Sequence, residues 1–211
     1  LRDGKYIATL NEEEMDAKKM KSLMVGREVV DNFYRSDYDK VPEDAEVALK
    51  VENVSCGILQ DISFELHKGE ILGLAGLSDC GIHDIGKTAF GLNRIESGSV
   101  EVPGHGRITN AHKAIKAGMG FMSKNRDTES MLITLSIQEN TVLPSLGNLQ
   151  KLGFFITPKS EHDLAEEWCT KLNVKMRGLD QACSELSGGN KQKIVLAKWL
   201  GNNSDIFILD C

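Results

Sequence analysis

Five consecutive residues, Leu186-Ser187-Gly188-Gly189-Asn190, carry the most specific chemical signal in the sequence. A small hydroxyl residue precedes two glycines, and a helical run opens at once, Lys191-Gln192-Lys193-Ile194-Val195-Leu196-Ala197-Lys198-Trp199-Leu200. Ile194, Ala197 and Leu200 repeat at helical spacing, while Lys191 and Lys198 fall seven apart on another side. Ser187 stands where an N-cap belongs. The bare backbone of Gly188 and Gly189 lets a phosphate approach the helix N-terminus, where free N–H groups and the helix dipole favour an anion. Five residues past this run comes Asp205-Ile206-Phe207-Ile208-Leu209-Asp210, an apolar stretch ending in a carboxylate. It predicts a buried parallel strand that delivers Asp210 to a Mg²⁺ site at its C-terminal end.

A second glycine-rich stretch can be framed in two ways. Gly81-Ile82-His83-Asp84-Ile85-Gly86-Lys87-Thr88 satisfies the pattern G-x-x-x-x-G-K-[ST]. In that frame Lys87 reaches the β- and γ-phosphates and Thr88 ligates Mg²⁺. However, the apolar run Ile71-Leu72-Gly73-Leu74-Ala75 predicts a buried strand, and the first glycine of a phosphate loop belongs at the strand end. That glycine is Gly76, which favours the frame Gly76-Leu77-Ser78-Asp79-Cys80-Gly81-Ile82-His83. Here Ile82 and His83 occupy the lysine and Ser/Thr positions. Lys87 then lies about 140° round the helix from Ile82 and cannot replace it. Ile82 brings no positive charge, His83 is a poor Mg²⁺ ligand, and Asp79 places a carboxylate where phosphate should meet an N–H. Asp79 is expected to fill the anion nest itself and cap the helix that starts near Gly81.

LSGGN, a helix and then IFILD resemble the signature motif and Walker B strand of ATP-binding-cassette (ABC) ATPases. The form LSGGNKQKIVLAKWL is similar to the second nucleotide-binding domain of tandem monosaccharide-importer ATPases of the ribose, galactoside and xylose type. The frame beginning at Gly76 resembles the family's phosphate loop in length, and Phe90-Gly91 stands where the family ends its first helix. The resemblance implies ATP and Mg²⁺ as cofactors. It also implies that Ser187, Gly188, Gly189 and Asn190 close on ATP held by a partner domain. Other positions depart from the family. Ser55-Cys56-Gly57 stands where an adenine-stacking aromatic is expected, Lys124 takes the Q-loop glutamine position, and Cys211 follows Asp210 where the general-base glutamate belongs. The implied partners are a fused first nucleotide-binding domain, transmembrane permease subunits and, indirectly, a sugar-binding protein. The implied location is the cytoplasmic face of the membrane, as a peripheral subunit.

The elements that must position these residues follow from patterning. An α/β fold is expected, P-loop NTPase-like, with a mostly parallel sheet, flanking helices, antiparallel strands on the N-terminal side and a helical subdomain at about 125–190. Val47, Leu49 and Val51 alternate, as do Ile62, Phe64 and Leu66, so two half-buried strands are predicted. Residues 98–102 and 118–122 read as strands, and residues 110–117, 136–143 and 158–174 as helices, the first capped by Asn110. In the last of these Leu164, Trp168 and Leu172 fall four apart and read as core. Asp3-Gly4 signals a hairpin turn, residues 5–10 its second strand, and residues 11–25 a helix capped by Asn11. By resemblance, residues 1–30 are the tail of a preceding nucleotide-binding domain. Residues 31–45 are charged, contain Pro42 and read as a linker to the cassette at 46–211.

The chain has 211 residues, 41% hydrophobic and 27% charged, with a net charge of −6 that argues against a nucleic-acid surface. Its five cysteines, Cys56, Cys80, Cys169, Cys183 and Cys211, are scattered and fit free thiols in a reducing cytosol. No apolar run has the length of a membrane span, and the start is not a signal peptide. Both ends read as cuts in a longer chain, and the family's D-loop and switch histidine fall beyond Cys211. This chain alone is therefore not expected to hydrolyse ATP. His105, His112 and His162 lack metal-ligand spacing and read as solvated, as does the charged run from Lys124 to Glu129. Three other readings compete: a P-loop kinase or GTPase using Lys87 and Thr88, a non-transport regulatory ABC module, and a pure interaction domain. The first leaves LSGGN unexplained, and co-purification with a permease separates the second from an importer.

Overall fold

The computed structural model describes residues 5–26, 44–77, 79–150 and 155–210. The chain divides into two compact units, Leu1–Lys40 and Val41–Cys211. In the first, helix α1 (Ala17–Val25) begins later than the sequence suggests. Asp16, not Asn11, caps it, accepting from the N–H groups of Lys18 and Lys19 at 3.1 Å, and Gly26 closes it at φ 81°. A 3₁₀ turn, Glu12–Glu14, takes up the preceding residues. Residues 6–11 form no strand, and the expected turn at Asp3-Gly4 and nearly all of the 31–45 linker lie outside the described residues.

The second unit opens on antiparallel strands. β1 (Val47–Cys56) pairs with β2 (Leu59–His67) on one side and β3 (Ser97–Val102) on the other, and β4 (Gly106–Arg107) completes the order β2-β1-β3-β4. The alternation seen at Val47, Leu49 and Val51 breaks at a bulge, where Asn53 and Asp61 both adopt positive φ and Asn53 Nδ2 donates to Asp61 Oδ1 at 2.7 Å. Gly98, at φ 84°, crosses this bulge so closely that a Cβ would stand 2.3 Å from the carbonyl oxygens of Glu52 and Asn53. Helix α2 (Ile82–Ala89) follows β2, and α3 (Ala111–Lys116) starts at Asn110, whose Oδ1 accepts from Lys113 N–H at 3.0 Å.

The parallel part of the molecule is β5 (Met119–Met122) beside β6 (Ile206–Leu209), in register from Met119–Ile206 to Met122–Leu209. Residues 71–77 do not join it. The expected buried strand is absent, all seven residues are exposed, and Ile71 is 89% accessible. A strand needs a neighbour to satisfy its backbone, and among the described residues none pairs with this stretch.

Helices α4 (Ile137–Val142), α5 (Leu146–Leu149) and α6 (Pro158–Lys171) lead to the long α7 (Gly188–Gly201). Ser136 and Glu139 close a reciprocal cap on α4. In α6 the fully buried positions are Ala165 and Cys169, one residue along from the predicted stripe. Leu164 and Trp168 instead lie over Gly201, whose missing Cβ makes room for Trp168 at 3.3 Å. Burial raises both Cys169 and Cys183 thiols to about 11, so neither is a ready nucleophile.

Trp199 joins α7 to the sheet. Its Nε1 donates to Phe121 O at 2.7 Å, its ring covers Gly120, and it meets Phe90 edge-on at 5.8 Å, while Phe90 stacks on Phe121 at 5.4 Å. Lys198, which the helical pattern set apart from the apolar face, is 9% accessible and donates from Nζ to Ser130 O. Burial lowers its ammonium pKa from 10.5 to about 8. Because the folded state rejects this proton, stability is lower below pH about 8 and rises as pH climbs from there toward the unfolded value of 10.5. Above pH 9 the two buried thiols act oppositely, since their raised values cost stability as the unfolded thiols ionise. The clean window is therefore about pH 8 to 9. Urea denaturation should give a parent midpoint that rises through this window relative to that of Lys198→Met, in which only the thiols contribute.

Candidate functional site

The loop from Gly76 to Gly81 leads directly into α2, whose N-cap is Gly81 in the left-handed region at φ 85°. Ile82 is the first helical residue and His83 the second. Asp79 also adopts a positive φ of 64°, a backbone state that glycine adopts freely and aspartate holds at a cost. The expectation that Asp79 caps the helix is not met. Its side chain is exposed and makes no hydrogen bond among the described residues, and α2 has no side-chain cap. With φ at 64° the residue is spent on shaping the turn, and its carboxylate does not reach the helix N–H groups. Ser78 lies outside the described residues.

Gly86, Lys87 and Thr88 sit in the last turn of α2, away from its N-terminus. Each has a packing role there. A Cβ on Gly86 would stand 3.0 Å from Ile208 Cγ2 and 3.4 Å from Phe121 Cε2, so glycine lets α2 lie close on β5 and β6. Thr88 is buried, and its Oγ1 accepts from Asn93 Nδ2 at 3.2 Å. Lys87 Nζ pairs with Glu129 at 3.0 Å.

The strand β6 carries Asp210 to the same end of the sheet, where its Oδ1 meets His83 Nδ1 at 2.5 Å. The structure thus brings together two residues chosen from the sequence 127 positions apart. The donors at this spot are one imidazole nitrogen and one carboxylate, and no group of three or more His, Cys, Asp or Glu gathers to hold a metal among the described residues. That donor set does not suit Mg²⁺, which demands near-octahedral oxygen ligands. Lys124 is exposed and its side chain makes no polar contact among the described residues, while Cys211 lies outside them. Ile58, at the β1–β2 turn, is 61% accessible and lies against Gly81; a Cβ there would meet Ile58 Cδ1 and Leu59 Cδ2 at 2.9 Å.

At the start of α7, Ser187 is the N-cap residue, but its hydroxyl does not cap the helix. It accepts from Asn190 Nδ2 at 3.1 Å, and Asn190 Oδ1 accepts from Lys175 N–H at 3.0 Å. Gly188 and Gly189 are exposed, with open space where a side chain would be. Beside them opens a cleft of about 530 Å³ lined by Lys175, Arg177, Gln181, Ser187 and Asn190. The N–H groups of this helix start are accessible to an anion from outside.

One cluster escaped the sequence reading. The charged run at 124–129, expected to be solvated, contains a π-helical turn, Arg126–Ser130, bonded to two helices. Arg126 Nη1 donates to Gly188 O at 3.2 Å and to Gln192 Oε1 at 3.3 Å; Asp127 pairs with Lys191 Nζ at 2.6 Å. Glu129 accepts from Ser123 Oγ at 2.5 Å and pairs with Lys87. The Ser123 hydroxyl, and after it Lys87, hold the Glu129 carboxyl below the usual carboxylate range. No local spacing signals these partners, which lie up to 66 residues away.

Residues 59–210 match the family described as ABC transporter. The chain belongs to the ABC transporter family. The ribose import ATP-binding protein RbsA of Lacticaseibacillus paracasei is 36% identical, over 100% of this chain and 41% of that protein. A putative ribose/galactose/methyl galactoside import ATP-binding protein of Pseudomonas savastanoi pv. phaseolicola is 39% identical, over 99% of this chain and 39% of that protein. The chain therefore spans about two fifths of the length of these ABC relatives. Among solved structures, a dimeric ATP-binding cassette in a post-hydrolysis state bound to ADP and Pi superposes with a TM-score of 0.64 at 19% identity, covering 76% of this chain and 72% of that one. A nucleotide-free cassette from an ABC transporter gives 0.59 at 17% identity, covering 78% and 68%. The fold is that of an ABC ATPase cassette.

Gly81 combines a left-handed backbone with close contact to Ile58 and Leu59, so a side chain there meets strain and crowding together. Gly81→Ala should lower unfolding stability by about 2 kcal/mol in denaturant titration.

Proposed function

We propose that this chain is the second ATP-binding cassette of a tandem monosaccharide importer, working on the cytoplasmic face of the membrane. In this reading Ser187, Gly188, Gly189 and Asn190 complete the ATP site of a fused first nucleotide-binding domain. The chain's own phosphate loop is degenerate and holds nucleotide weakly or not at all. The helical part at about 125–190 passes ATP-driven closure to permease subunits, which receive sugar from a binding protein. Residues 1–30 belong to the tail of the preceding domain. Asp210 would be the Walker B carboxylate and Lys124 would stand at the Q-loop position.

The observation that carries this reading is the contrast between two helix starts. At α7 the positions of Gly188 and Gly189 are open and adjoin a cleft lined by Lys175 and by Arg177, the latter paired with Glu185. At α2 the first two positions are Ile82 and a His83 already in contact with Asp210. A triphosphate bound there gains no lysine charge, and Mg²⁺ finds a nitrogen donor in place of a hydroxyl. The import role and the sugar class draw support from the names of the ribose and galactoside relatives. The kinase or GTPase reading gains no support from Lys87, which is paired with Glu129 at the far end of α2.

Calorimetry with Mg-ATP on this chain tests the loop. No binding is expected in the parent or in Lys87→Ala, and a gain is expected in Ile82→Lys. Tight binding abolished by Lys87→Ala would overturn the frame. In the two-domain protein, Ser187→Ala should lower ATP turnover by about a hundredfold, the scale for losing a group that contacts developing charge; unchanged turnover would end the partner-completing role.

A further inference from the structure

The Lys87 of the literal G-x-x-x-x-G-K-[ST] pattern lies in the last turn of α2 and pairs with Glu129 of the turn Arg126–Ser130, a contact that the reading above does not use. We propose that Lys87 is a positioning residue, anchoring a clamp, the turn Arg126–Ser130, that holds the glycine backbone at the start of α7. The clamp's functional meaning rests on the reading of Ser187 to Asn190 as a nucleotide-contacting motif.

The argument starts from Gly188. Gly188 begins α7 with open space where a side chain would stand, so no side chain of its own anchors it, and a glycine's φ and ψ are freer than those of other residues. An anion site made of backbone N–H groups needs those groups fixed beforehand, or the ordering cost is charged to binding. The one side chain that reaches the Gly188 carbonyl among the described residues is Arg126, at 3.2 Å. Its guanidinium also reaches Gln192 Oε1, so it spans the first turn of α7.

Arg126 in turn depends on its own backbone. It opens a π turn closed by Met131 N–H to Arg126 O at 3.1 Å, a geometry that is rare and poorly self-supporting. External contacts brace it along its length. Asp127 pairs with Lys191, and Ser130 O accepts from the buried Lys198, both on α7. Glu129 pairs with Lys87 on α2 and accepts from Ser123 at the end of β5. The turn is thus bonded to α7 through three of its residues and to α2 through one. Without Lys87 the turn keeps its hold on α7 but loses its tie to the phosphate-loop helix. Lys87 therefore ties the turn that holds the Gly188 carbonyl to α2, over and above the Trp199 core.

The test uses the whole chain without nucleotide, so its failure is separable from failure of the ATP reading. ¹⁵N–¹H spectra and amide exchange are recorded for Lys87→Ala, Lys87→Arg, Arg126→Lys and Lys68→Ala. Lys87→Ala should shift the Gly188 and Gly189 amide resonances and raise exchange across Arg126–Ser130 by roughly three- to fivefold, the range for one partly exposed pair. Lys87→Arg should restore both. Arg126→Lys should shift the same glycine resonances, and Lys68→Ala, at a surface pair with Glu46, should leave them in place. Unmoved glycine resonances in Lys87→Ala, or a shift that Lys87→Arg fails to reverse, would overturn the proposal.

Discussion

The arrangement of both glycine-rich segments depends on one aromatic contact. Trp199 on α7 lies over Gly120, donates to Phe121 O and meets Phe90 at the end of α2. Three elements distant in sequence, α2, β5 and α7, are thereby joined in one core. Truncating a buried tryptophan costs about 3–5 kcal/mol, far more than any exposed ion pair contributes. The closeness also explains two glycines. Gly120 makes room for the indole, and Gly86 lets α2 approach Phe121 and Ile208. What reads in the sequence as part of a nucleotide motif is, at Gly86, a packing requirement.

On this core the two helix starts are built differently. α7 begins with exposed glycines beside an open cleft, and its nearby cations, Lys175 and Arg177, leave the backbone accessible. α2 begins after a turn that needs positive φ at Asp79 and Gly81, with Ile58 leaning on Gly81. The first two helical positions there are Ile82 and His83, and His83 already meets Asp210.

The polar turn at 126–130 adds a link between the two. Its charges would be weak contributors on an open surface. Their leverage comes from where they attach, since Gly188 has no side chain of its own to anchor it. Lys198 shows the cost of such wiring. Its amine reaches Ser130 O only by being buried, and burial depresses its pKa.

Much was legible from residue types. The β1 and β2 alternation, the cap at Asn110, the buried β5 and the existence of β6 followed from local pattern, because propensity, capping and periodicity act over a few residues. The family followed from motif resemblance. β6 is less buried than its apolar run suggests, with Leu209 53% accessible. The same reasoning predicted a strand at 71–75, which the structure does not form, because a strand exists only where a neighbour completes its ladder. It set Lys198 apart from the apolar face of α7 and read 124–129 as solvated, because nothing in local spacing announces partners 42 to 68 residues away. The sequence by itself determined the family, the helix that carries LSGGN and the side chains available at each glycine-rich loop. Only the tertiary structure decided that Lys87 faces Glu129, that His83 meets Asp210 and that Arg126 holds Gly188, because each depends on chain segments brought together by the packing around Trp199.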